Sequence, residues 1–228
     1  MKILIISNLY PPHFIGGYEI ACADTVALLR LNGHECFILT SNYDSGRATP
    51  LDETFTQRSL KLHVNWMAGN QTCDYQVTKK HNEFEVCSVL NIFKPDFVYF
   101  WNIYGLTMVP ASVVKQRGIR STVHLMDLSL AGYQWSVKRF IANLIKRSSI
   151  DLVQVGKYFD NSISISKFIF NNTKSWNFNR QEVIYPFLDF SAPVFKKYPI
   201  YAIFLFVAST SVRLKGIKGF YYFAKRLI

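Results

Sequence analysis

Gly16 and Gly17 are the residues from which chemistry can first be argued. They follow an apolar run, Ile3 to Ile6, and a loop containing Pro11 and Pro12, and they stand where a helix-period pattern begins. Strand, loop, glycines and helix in that order set a helix N-terminus at the carboxyl ends of the strands of an open α/β sheet. The free N–H groups of such a terminus suit an anionic ligand, phosphate above all. Glycine lets the backbone approach that ligand closely. The same pair also reads as nothing more than a tight turn. Glu19 falls in the first turn of the helix, where a carboxylate complements the helix dipole, and its expected role is structural. Asn102 directly follows a buried strand, Phe97 to Phe100. Its amide either points into a cleft, where it could bind a hydroxyl, or caps its own loop.

These residues need a scaffold, and the pattern of the chain supplies one. A helix is expected from about 17 to 31, with Ile20, Ala23, Ala27, Leu28 and Leu31 inward and Gly33 past its end. Strands are expected at 35–40, 62–66, 97–100, 121–124, 152–155, 162–165, 182–185 and 201–207. Helices are expected at 79–93, 106–116 and 133–147, with a further start at Ser166 and a last one at 220–228. In the 79–93 helix, Phe84, Val86, Cys87, Leu90 and Ile92 or Phe93 should face inward. Residues 42–60 show no clear period and read as a mobile surface loop. Strands alternating with helices imply an α/β fold, a Rossmann-like, doubly wound and mostly parallel sheet.

Composition narrows the class. Half of the 228 residues are hydrophobic, so a sizeable core is possible and wholesale disorder is excluded. No apolar run reaches the roughly 18 residues of a membrane span. The start MKILIIS lacks a small-residue cleavage site and reads as the first strand rather than a secretion signal. The four cysteines, Cys22, Cys36, Cys73 and Cys87, have no metal-ligand spacing, which fits free thiols in a reducing cytosol. Asn70-Gln71-Thr72 and Asn171-Asn172-Thr173 match the glycosylation pattern and, without a secretion signal, are taken as chance. Residues 1–110 carry 8 Lys/Arg against 10 Asp/Glu, whereas residues 111–228 carry 18 against 5. The basic half implies an anionic partner, a sugar nucleotide, lipid headgroup or nucleic acid, or else a solvated basic surface. No recognition motif supports nucleic acid. No G-x-G-x-x-G follows the first strand and no acidic residue closes the second, which disfavours a nicotinamide-dependent enzyme.

Six stretches in order carry a family resemblance. They are Tyr10-Pro11-Pro12 with Gly16-Gly17-x-Glu19 and Gly33-His34-Glu35; Lys94-Pro95-Asp96 running to Trp101-Asn102; and Thr122 to Asp127. The others are Ile163 to Ser166, Glu182 to Pro186, and Phe204 to Val207 with Lys215-Gly216 and Ala224. Together they resemble glycosyltransferase family 4, of the GT-B fold. The resemblance implies a retaining transferase that moves a sugar from a nucleotide-sugar donor to a carbohydrate or lipid-linked acceptor, as in polysaccharide biosynthesis, with no cofactor and no required metal. It implies an acceptor-side domain over 1–195, and a linker with the start of a donor-binding domain over 196–228. By that pattern the chain looks truncated, lacks the later glutamate pair, and is expected to be inactive alone, a binding module or remnant being the alternative. Gly16 and Gly17 would face the donor diphosphate, and Arg213 and Lys215 would stabilise it as it departs. Asn102 would meet the acceptor. His124 and Asp127 would be catalytic, orienting the acceptor hydroxyl or taking its proton. Here Met126, rather than a histidine, precedes Asp127, and His124 reads equally as a core histidine. The expected location is cytoplasmic, with possible contact at the anionic inner membrane surface. Trp135 and Phe140 lie among four cations in the 133–147 helix, which reads either as a membrane-surface helix or, preferably, as one packed on the sheet through Phe140, Leu144, Val137 and Ile141 with a basic outer face.

Overall fold

The computed structural model describes residues 1–49, 53–64, 74–146 and 150–185. The chain divides into two units, Met1–Pro186 and Phe187–Ile228. The strand expected at 201–207, the helix at 220–228, Arg213 and Lys215 lie outside the described residues, as does Cys73.

The first unit is built on seven parallel strands. They are β1 (Lys2–Ile6), β2 (Glu35–Ser41), β3 (Thr56–Leu60), β4 (Phe97–Phe100), β5 (Ser121–Leu125), β6 (Asn161–Ser164) and β7 (Arg180–Val183). Their order across the sheet is β3-β2-β1-β4-β5-β6-β7. The helices are α1 (Gly17–Leu31), α2 (Tyr75–Phe93), α3 (Val109–Gln116), α4 (Val137–Lys146) and α5 (Lys167–Thr173). The strand order reverses between β1 and β4, so the chain leaves these neighbours in opposite directions. The crevice that opens outside their carboxyl ends is where α/β sheets take ligands.

Parallel strands covered on both faces read as apolar runs rather than alternations, and β1 and β4 at the centre of the sheet are such runs. In β1, Ile3 and Ile5 pack with Cys22 and Val26 of α1, together with Cys36, Ile38 and Trp101. Leu4 and Ile6 face the other way, into a larger core with Val86, Leu90 and Phe93 of α2, Val113 and Val114 of α3, and Phe100 and Val123. Asp74 caps α2 by accepting from Gln76 N–H at 2.8 Å and Val77 N–H at 3.2 Å. Ser166 caps α5 by accepting from Ile169 N–H at 3.3 Å.

Several sequence expectations are corrected. Residues 62–64 of the strand expected at 62–66 are not in a strand, 65 and 66 lie outside the described residues, and β3 forms at 56–60, inside the stretch read as a mobile loop. No strand forms at 152–155. Val153 makes one bridge to Gln134, and a 3-10 turn follows over Val155–Tyr158. The inward face of α1 is Glu19, Cys22 and Val26, whereas Ile20, Leu28 and Leu31 are exposed. In α2, Phe84 and Ile92 are exposed, and Thr78 and Asn82 are buried with Val86, Val89, Leu90 and Phe93. Asn82 is buried because its amide is used. It accepts from Lys61 N–H at 2.8 Å and donates to the Lys61 and Leu106 carbonyls at 3.0 Å. Apolarity alone could not rank these faces, because the packed ones include satisfied polar groups. The 133–147 helix is shorter, at Val137–Lys146, and its expected inward set, Val137, Phe140, Ile141 and Leu144, is exposed.

Candidate functional site

The region outside the strand carboxyl ends at this reversal is bounded by the segments that follow β1, β4 and β5. Asn8, fully buried, ties the first two together. Its backbone N–H donates to the Asn102 carbonyl at 2.5 Å, its amide Nδ2 donates to the Tyr104 carbonyl at 2.9 Å, and its Oδ1 accepts from Leu9 N–H at 2.8 Å. The proline loop is clamped from β3. Arg58 donates to the carbonyls of Tyr10 at 3.0 Å and Pro11 at 2.7 Å, and pairs with Glu53 through two nitrogens. Ser45 N–H donates to His13 Nδ1 at 3.1 Å, which leaves His13 Nε2 to donate to Thr49 Oγ1 at 2.8 Å. Arg47 adds a bond to the Phe14 carbonyl at 2.8 Å and lies over the Phe14 ring at 4.0 Å. Loop 42–49 is therefore sewn to the loop that carries the glycines.

Gly16 is the N-cap of α1, with φ −150° and ψ −163°, and Gly17 opens the helix. Neither has positive φ, and a Cβ added at either would meet no atom within 4 Å. Neither turn geometry nor crowding explains the pair. Gly156 is the contrast, because a Cβ there would lie 1.9 Å from the Trp176 carbonyl oxygen. The space before α1 is open, and the two N–H groups just ahead of the helix are engaged. Gly16 N–H donates to Glu19 Oε2 at 3.0 Å and Ile15 N–H at 3.4 Å. Glu19 thus does more than complement the dipole: its carboxylate folds back onto the N–H groups of the N-cap Gly16 and of Ile15. Burial pushes its pKa up, against the lowering effect of these N–H groups, and the nearby Asp127 adds to the rise.

His124 lies on the α1 face of the sheet, stacked on Trp101 at 4.2 Å with the rings 6° apart. Tyr99 Oη is 2.8 Å from His124 Nδ1. Tyr18, from the first turn of α1, donates to the His124 carbonyl and accepts from Met126 N–H at 3.3 Å. Burial lowers the His124 pKa to about 4, so the imidazole is neutral at pH 7. Burial holds the Tyr99 and Tyr18 phenols well above their usual range, and Asp127 adds to this at Tyr18. If Tyr99 donates to Nδ1, Nε2 carries the ring hydrogen and is a donor; if Nδ1 donates to Tyr99 Oη, Nε2 is an acceptor. Asp127 is exposed, and its Oδ1 accepts from Ser129 N–H at 2.8 Å. Asn102 Oδ1 accepts from Tyr104 N–H at 3.1 Å, so this side chain caps its loop and keeps only its Nδ2 donors for a ligand.

The structure brings Gly16, Gly17, Asn102, His124 and Asp127 to the same edge of the sheet, through segments that touch at Asn8–Asn102 and Tyr18–His124. Sequence reasoning missed Asn8, Tyr18, Tyr99 and Trp101. The one available signal was aromatic density, three rings around a strand end, and it does not distinguish a core from a site. Among the described residues no three His, Cys, Asp or Glu side chains converge to hold a metal ion. Likewise, none of their helices is long and apolar enough to cross a membrane.

No protein-family model matches the sequence, and no curated protein matches it. Solved structures do resemble the fold. The sucrose-phosphate synthase of Thermosynechococcus elongatus superposes with a TM-score of 0.52 at 14% identity, over 82% of this chain and 48% of that one. The UDP-GlcNAc 2-epimerase of Methanocaldococcus jannaschii superposes with a TM-score of 0.51 at 16% identity, over 81% of this chain and 45% of that one. The chain therefore spans just under half the length of these structures. With identities this low the likeness concerns architecture alone, and that architecture is the Rossmann-like α/β sheet of GT-B glycosyltransferases and epimerases.

Proposed function

We propose that this chain forms the acceptor-side wall of a retaining glycosyltransferase of family 4 type, which takes a sugar from a nucleotide donor without a metal or cofactor. The observation that carries the reading is the open glycine pair. Nothing in the backbone or its neighbours requires glycine at Gly16 or Gly17, yet both stand at a helix N-terminus beside the switch in strand order. The UDP-sugar named for the epimerase above is the class of ligand such a terminus suits. In this reading the diphosphate approaches Gly16 and Gly17, and the family resemblance assigns Arg213 and Lys215 the charge that stabilises it. Asn102 Nδ2 donates to a sugar hydroxyl, and the neutral His124 Nε2 bonds another as donor or acceptor. Asp127, exposed at the rim, accepts the acceptor's proton or orients its hydroxyl. The acceptor is a carbohydrate or lipid-linked sugar, and transfer needs the donor-side wall.

Glu19 favours a second reading, a binding module that transfers nothing. Its carboxylate already satisfies Gly16 N–H, and a phosphate must displace it against like charge. Calorimetric titration of the full chain with UDP-GlcNAc tests both. Gly17→Val fills the open space without a clash, so it should unfold at the wild-type temperature and lose at least about tenfold in affinity. Glu19→Gln keeps an acceptor for Gly16 N–H and removes the charge, so it should bind several-fold tighter. Equal affinity in wild type and Gly17→Val removes the glycine pair from the site. Absence of binding in wild type and Glu19→Gln alike defeats the donor assignment.

A further inference from the structure

Helix α4 is amphipathic in the wrong sense for a helix packed on a sheet. At 100° per residue Phe140, Leu144, Val137, Ile141 and Ile145 form one continuous apolar arc. That arc faces away from the protein: Leu144 is 64% and Ile145 77% exposed, and Val137, Phe140 and Ile141 are half exposed or more. The side turned inward is the polar one. Arg139 donates to the Gln134 carbonyl at 3.3 Å, Asn143 donates to the Ile150 carbonyl at 3.1 Å, and both are half-buried with Ala142. Trp135, just before the helix, is also half exposed and anchored by its backbone N–H on the Val153 carbonyl at 2.8 Å.

Charge identifies the occupant. From Leu128 to Ile150 the sequence has four cations, Lys138, Arg139, Lys146 and Arg147, and no Asp or Glu. Lys138 is exposed and borders the apolar arc. An exposed apolar arc bordered by Lys138, with an aromatic residue at its entry, is complementary to the headgroup region of an anionic bilayer. Water is a poor environment for so continuous an apolar ridge.

We infer that α4 is an interfacial anchor that lies in the plane of an anionic membrane, with Val137, Phe140, Ile141, Leu144 and Ile145 among the acyl chains and Lys138 against lipid phosphates. The anchor begins ten residues after Asp127 on the segment leaving the carboxyl end of β5, so docking brings that edge of the sheet to the lipid surface. The inference does not depend on what the crevice binds.

Co-sedimentation of the full chain with vesicles tests it, using phosphatidylglycerol mixed with phosphatidylcholine in one arm and phosphatidylcholine alone in the other. Wild type should bind the anionic vesicles and lose binding as salt is added. Leu144→Ser with Ile145→Ser should lower the partition coefficient by about tenfold or more. Lys138→Gln should lower it by about fivefold on anionic vesicles and leave phosphatidylcholine binding unchanged. The serine variant should unfold at the wild-type temperature without lipid. Failure of wild type to bind anionic vesicles overturns the inference, as does equal binding to both lipids or wild-type binding by the serine variant. If the ridge is instead covered by residues 187–228 or by a second copy, the serine variant will unfold earlier in lipid-free buffer, or wild type will gain mass with concentration. Either result overturns it too.

Discussion

The glycine loop and the α4 segment are both irregular excursions from a strand end, and they are held in opposite ways. The glycine loop is rich in polar ties. Arg58 from β3 and Arg47 from the segment after β2 bond its carbonyls, and its own His13 accepts from Ser45 N–H of that segment. The α4 segment has ample apolar surface and turns it outward, held by two side-chain bonds to carbonyls at its polar side. A loop that must keep empty space in front of a helix cannot be stabilised by filling that space, so polar ties from behind do the work. A helix whose stabilising surface lies outside the protein needs only enough ties to present it.

The largest expected effect breaks the first side of this comparison. Arg58→Ala leaves two loop carbonyls and the half-buried Glu53 carboxylate without their cation. It should cost about 3 kcal/mol, as removal of one partner of a buried pair does, measured by urea unfolding. A cost below about 0.5 kcal/mol would mean the loop is held otherwise.

Next comes His124. Its folded pKa of about 4 lies below its ordinary 6.5, so the unfolded chain binds its proton first as pH falls. Stability from this group is fully present above pH 6.5, declines as pH falls toward 4, and levels off below. The total is about 3 kcal/mol at most. His63, also lowered by burial, acts in the same direction, while Glu19, raised by burial, acts in the opposite one. In His124→Phe the slope of unfolding free energy between pH 6.5 and 4 should be shallower than in wild type. An unchanged slope would place the imidazole in water.

The smallest effect belongs to α4. Leu144→Ser, at an exposed position, should change the unfolding free energy by under about 0.5 kcal/mol in lipid-free buffer. A buried Leu truncated in this way typically costs several times more. Set beside Arg58→Ala, the pair sharpens the contrast: a polar residue on which the fold depends, and a leucine on which it does not.

Much of the fold is legible because β1, β2 and β4 are short and rich in apolar residues, as strands buried on both faces are. β3, with the sequence Thr-Gln-Arg-Ser-Leu, carries no such mark. It is a strand because β2 offers it a free edge and because Arg58 finds carbonyls to bond there. The face of α1 was misjudged for a related reason. Counting apolar residues favours Ile20, Leu28 and Leu31, but Glu19 is buried by its bonds to Ile15 and Gly16, and it brings Cys22 and Val26 inward with it.

By itself the sequence determined that a glycine pair stands at a helix start after a buried strand, and that the strands alternate with helices in a parallel sheet. Both follow from local spacing and from periods of a few residues. Only the tertiary structure decided that the Glu19 carboxylate folds back onto Gly16 N–H, that Trp101 stacks on His124 across 23 positions of sequence, and that the apolar side of α4 faces outward. Hydrophobic periodicity states that a helix has two sides. Which side meets the protein depends on what the rest of the chain leaves to be covered.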